Sequence, residues 1–169
     1  MEAELKNKSD NVIQLKKNDD ILKLRIVDEE GNDTGNYLEF NLEDIELPIR
    51  YQTIIEEDKK ARARLKEQFI IIDKKQDHKG KKLLSFKEEE KIKAMQEFYR
   101  REVEIYNMFL GDNGVEKLLN GRQLSWGTLA EIDEIIEQNI LPKLNVSAEN
   151  VKAKIIKKYS NKEVGETIE

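Results

Sequence analysis

The hydrophobic period of this chain changes from two to 3.6 near residue 45, and that change limits the folds open to it. Before it, Leu22, Leu24 and Ile26 alternate with Lys23, Arg25 and Val27, and Leu38, Phe40 and Leu42 alternate with Tyr37, Glu39 and Asn41. Residues 29–35 between them, Glu-Glu-Gly-Asn-Asp-Thr-Gly, tolerate turn geometry. The pattern predicts a β-hairpin over 21–44 with one apolar face. A lone hairpin is marginal in water, so that face must rest on something else. The helices that follow are the natural support.

The first helix is predicted over about 48–74. Pro48 suits a first turn, where its missing N–H costs nothing. Tyr51, Ile54, Ile55, Ala61, Leu65, Phe69 and Ile72 fall along one side. A charged loop, 75–82, separates it from a second helix over 85–110. There Ser85 and Glu88 form a capping-box pattern, Glu88, Glu89 and Glu90 oppose the positive end of the dipole, and Gly111 supplies a stop. Further helices are expected over 115–120, over 128–141 with Thr128 and Glu131 as capping box and Pro142 as terminator or kink, and over 147–159. The chain therefore reads as α+β and predominantly helical: mobile tails at 1–20 and 160–169 enclose one domain over 21–159.

The 85–110 helix is apolar over an unusually wide arc. Ile92, Met95, Tyr99, Val103, Tyr106 and Leu110 make one seam, while Phe98, Ile105 and Phe109 make a second about 100° away on a helical wheel. Two explanations fit: a helix sandwiched at the centre of the core, or one seam kept for a partner. Trp126, the only tryptophan, poses the same choice between a lid packed before a helix start and an anchor for another molecule. Phe98, Ile105, Phe109 and Trp126 are the candidate partner-binding residues.

Reactive chemistry is hard to find. The sole histidine, His78, stands between Asp77 and Lys79 in the charged loop, without the orienting partner and shielded pocket that a catalytic imidazole needs. No cysteine exists, so disulfides, thiolate zinc sites and cysteine nucleophiles are excluded. Neither acidic turn fits a calcium loop: counted from Asp28, the glycine of the sixth position is Asp33, and counted from Asp112 it is Lys117, with Gln123 at the twelfth. No glycine-rich phosphate loop is present. No enzyme, metal or cofactor is expected.

Charge speaks to partners. Thirty Lys and Arg against 35 Asp and Glu give a net charge of −5, the reverse of a surface built for phosphate, so nucleic acid is not expected. The basic stretches 59–64 and 79–82 are more economically solvated helix and loop surface. Mean hydropathy is −0.74. The longest apolar run, Phe69 to Ile72, falls far below the roughly 20 residues that span a bilayer, and residues 1–11 lack the apolar stretch of a signal peptide. A cytoplasmic protein without membrane contact is expected. Leu, Ile, Val and Phe exceed a quarter of the chain, enough to fold.

The order of features resembles the tail assembly chaperones of long-tailed bacteriophages and prophages of Gram-positive hosts. The resemblance begins with the hairpin, 22–26 and 38–44, and continues through the long charged helix. It is strongest from Tyr99 to Pro142, where Phe109-Leu110-Gly111 is followed by Val115-Glu-Lys-Leu-Leu119, then by Leu129, Ile132, Ile135 and Ile136, then by Ile140-Leu141-Pro142-Lys143. Many members carry an aromatic residue where Leu129 or Ile132 stands here. The resemblance implies a non-enzymatic protein of the host cytoplasm that holds the aggregation-prone tape-measure protein before the tail tube forms. It implies that the candidate residues form a client or self-association surface. A tail structural or completion protein, and a small acidic regulatory protein-binding module, are the alternatives.

Overall fold

A computed structural model of the protein describes residues 20–144 together with 149, 153 and 156. Strand β1 (Ile21–Val27) pairs antiparallel with β2 (Asp33–Asn41), Leu22 opposite Phe40 and Leu24 opposite Leu38. These four side chains share the inner face with Ile26 and Leu42, while Lys23 and Glu39 pair on the outer face at 3.9 Å. The turn is tighter than the sequence predicts. Asp28 accepts backbone N–H bonds from Glu30 (3.0 Å) and Asn32 (2.8 Å), so β2 begins at Asp33. The glycines divide the work: Gly31 takes a positive φ of 83° inside the turn. Gly35 takes 78° within β2, where the ladder shifts register opposite Arg25 to Val27.

Helix α1 (Leu47–Lys74) and helix α2 (Phe86–Leu110) form an antiparallel pair, about 42 and 37 Å long at 1.5 Å per residue. Pro48 stands in the first turn of α1, and Asp44 holds the approach by accepting from Glu46 N–H at 2.9 Å and pairing with Arg50. Ser85 caps α2 with the reciprocal Glu88 bond the sequence predicts. His78 is exposed in the connecting loop, its ring stacked on Phe86 at 5.2 Å. Gly111, at φ 86°, ends α2. A short α3 (Gly114–Leu119) turns the chain back, flanked by Asn113 and Asn120 in the left-handed region.

Helix α4 (Trp126–Ile135) opens two residues earlier than predicted. The capping box is Ser125 with Thr128, not Thr128 with Glu131: Thr128 Oγ1 accepts from Ser125 N–H at 2.7 Å, and Ser125 Oγ accepts from Thr128 N–H at 3.2 Å. Ser125→Ala is expected to cost about 1 kcal/mol in chemical unfolding, and Glu131→Ala much less. Pro142 does not end the helix. A wide π turn, Ile136–Ile140, follows α4 directly, and helical structure runs on to Leu144. Pro142 has no N–H for the preceding turn and its ring crowds the carbonyl there, so a widened turn relieves both.

The molecule is thus α+β and mostly helical, an N-terminal two-stranded hairpin followed by helices. One core joins Leu38 and Phe40 of the hairpin, Ile54 and Leu65 of α1, and Leu129, Ile132, Ile136 and Ile140 of α4 and the π turn around the C-terminal half of α2. Among the described residues, no helix is long and apolar enough to cross a membrane. Of the helix expected over 147–159, Glu149, Ala153 and Ile156 are helical and exposed; the rest lies outside the described residues, as do both expected tails apart from Asp20.

Candidate functional site

The two seams of α2 exchange the roles that the sequence allowed them. Phe98, Ile105 and Phe109 are 4, 1 and 2% exposed, which makes them interior and removes them as a contact surface. Phe109 is held by the rings of Phe40 (5.5 Å) and Tyr51 (5.3 Å), and Phe98 by the indole of Trp126 (5.1 Å). The reason is topological. The hairpin and α1 converge on this flank of α2, as the hairpin's single apolar face requires.

The other seam is divided. Its C-terminal members, Tyr106 and Leu110, are buried. Here α4 is tied down by the Tyr106 hydroxyl, which donates to the Asp133 carboxylate. Toward the N-terminus of α2 the cover stops. Val103, Tyr99 and Met95 are half-buried, and Ile92 is 44% exposed. Trp126, the first residue of α4, marks the boundary: it packs on Phe98 and Tyr99 (6.3 Å), carries the Arg62 guanidinium 5.3 Å from its ring, and stays 47% exposed. Trp126 is therefore a lid on one side, as one of the two sequence readings has it, and is exposed on the other. Beyond it, Phe69 of α1 is half-buried, with the Lys91 ammonium 5.5 Å from its ring and paired to Asp73 at 2.7 Å. The result is an apolar strip along α2, running on from the end of α4 and bordered by cations whose stems also pack against rings.

Under this strip lies a group that the sequence reading passed over. Glu102 is 0% exposed, and neither carboxylate oxygen finds a hydrogen-bond donor among the described residues. It stands where three helices meet, with Asp58 and Arg62 on α1 and Asp133 on α4 as its charged neighbours. Burial raises its pKa first, and the Asp58 carboxylate, which rewards a shared proton and repels a second charge, raises it further. Arg62 offsets part of this and Asp133 adds to it, leaving Glu102 pushed up to about 8. Arg62 is drawn away by its own 2.7 Å bond to Asp58. Burial and the bond to Asp133 likewise hold the Tyr106 phenol protonated well above the usual tyrosine range. The signal for Glu102 was present in the sequence: Phe98, Glu102, Ile105 and Phe109 follow the spacing of a core stripe, and one of the four is an acid.

A cleft between the hairpin turn and the α3–α4 loop, lined in part by Ile26, Asp28, Arg122 and Glu131, is open to solvent. Its Arg122 and Glu131 pair with each other at 2.8 Å. Among the described residues, no group of three or more His, Asp or Glu side chains is placed to hold a metal ion. The arrangement along α2 is suited to non-covalent contact with another helix, because α4 already occupies the same seam as a helix. No protein-family model, curated protein or solved structure matches this chain.

Proposed function

We propose that this protein is a non-enzymatic chaperone that holds an amphipathic client helix along the open half of the α2 seam, end to end with α4. One observation carries the reading: the apolar seam of α2 is buried at Tyr106 and Leu110, half-buried through Val103, Tyr99 and Met95, and exposed at Ile92, with a half-exposed tryptophan beside it. A helix laid there repeats a contact the fold already makes, and Arg62 and Lys91 favour acids on the client's polar flanks. The resemblance in layout to phage tail assembly chaperones supports the tape-measure protein, met in the host cytoplasm, as the client. High charge of both signs keeps such a loaded complex dispersed.

The test is co-expression with a phage tape-measure protein, followed by measurement of the soluble client. Ile92→Asp and Trp126→Glu are expected to cut the soluble client at least tenfold. Full burial of such a side chain is worth about 1.5–3 kcal/mol, and each 1.4 kcal/mol is a factor of ten in affinity. Ile71→Asp is the control. Ile71 is exposed on the other flank of α1, in a groove it shares with Lys75, Glu90 and Lys93, and its replacement should leave the yield unchanged. Equal loss from all three variants would refute the seam as the binding site. The protein should also be absent from finished particles; its retention there would make it a tail subunit instead.

A further inference from the structure

The buried carboxyl at the three-helix junction points to a moving part. Glu102 of α2 is closed off from water, and among the described residues no donor group bonds either oxygen, a state that an ionised carboxylate cannot hold at low cost. The groups facing it are fixed: Asp58 and Arg62 from α1, Tyr106 one turn along α2, and Asp133 from α4. Two of these are acids, and the one cation is engaged by Asp58. An ionised Glu102 therefore needs either water or the Arg62 guanidinium.

Both routes act on α4. The pair α1 and α2 is bound along most of its length, whereas α4 is anchored at its far end by the buried Ile136 and Ile140 and is half-exposed at Trp126. Its Asp133 would face a second negative charge across the junction. Its Trp126 would lose the Arg62 guanidinium if that group swung toward Glu102. We propose that α4 is a proton-controlled latch: a protonated Glu102 keeps it seated on α1 and α2, and loss of that proton unseats its Trp126 end. An unseated α4 lengthens the exposed part of the α2 seam. The latch is a property of the monomer and stands without reference to any client.

Trp126, the only tryptophan, reports its own seating. Fluorescence of the full chain is to be followed from pH 6 to 9, below the range in which ordinary tyrosines titrate. The expected result is a single shift of emission to longer wavelength with its midpoint near the Glu102 value of about 8, while the far-UV helix signal stays constant. Glu102→Gln should abolish the shift. Asp58→Asn, which removes the nearest negative charge, should lower the midpoint by about one pH unit. The latch is overturned if the wild-type emission does not move, or if the shift survives in Glu102→Gln. Should Glu102→Gln fail to fold, an unmoved midpoint in Asp58→Asn overturns it equally. Because no client is present, a negative result leaves the chaperone reading standing, and a failed co-expression leaves the latch standing.

Discussion

Phe109→Ala will lower the free energy of unfolding by about 3–5 kcal/mol. The ring is 2% exposed and fills the space between Phe40 of the hairpin and Tyr51 of α1, so its loss opens a cavity where three elements meet. Among the described residues the hairpin has no second sheet to rest on, and its inner face depends on this contact. Ile105→Ala belongs to the same class, at about 2–5 kcal/mol. Urea unfolding followed by circular dichroism measures both, and a chain of this size should lose on the order of 10 °C in melting temperature. A contact residue behaves differently: truncating it leaves the unfolding curve in place and weakens only binding. If Phe109→Ala melts like the wild type, the assignment of this seam to the interior is wrong.

That assignment is also where sequence and structure part company. The arc between the two seams of α2 is local, fixed by 100° per residue, and it is legible in the sequence. Which seam gets covered is not local. It depends on where the hairpin and α4 return, through pairs such as Phe40 with Phe109 and Tyr106 with Asp133, which lie 69 and 27 residues apart in the chain. The period change at residue 45, Pro48 and the Ser85–Glu88 box depend only on neighbours, and each stands where the pattern put it. The start of α4 shows the limit of such signals. Ser125 with Thr128 and Thr128 with Glu131 both fit a capping pattern, and the choice went to the earlier pair, which seats Trp126 on Phe98. At the hairpin, Gly35 reads as turn but serves β2, because Asp28 closes the turn sooner. Glu102 does not stand out among 35 acids by composition, because only its position on the helix, in register with Phe98, Ile105 and Phe109, sets it apart.

Glu102→Met should make the protein more stable, and by an amount that depends on pH. In the unfolded chain this carboxyl ionises near its ordinary value of 4.5, whereas in the folded protein it holds its proton to about 8. Between those limits the folded state binds one more proton than the unfolded state, so the wild type loses stability as pH rises, by at most about 1.4 kcal/mol per unit. Below pH 4.5 the carboxyl is neutral in both states and the penalty vanishes; above about 8 it is charged in both and the penalty is constant. Methionine has similar length and needs no proton. The variant should therefore exceed the wild type by a small margin at pH 5 and by on the order of 3 kcal/mol at pH 8.5, as found when a buried charge gives way to a packed apolar side chain. Comparing the two chains at each pH cancels the exposed carboxylates common to both. Parallel curves from pH 5 to 8.5 would mean that Glu102 carries the same charge folded and unfolded, and the junction would then be a fixed element of the core with nothing to release α4.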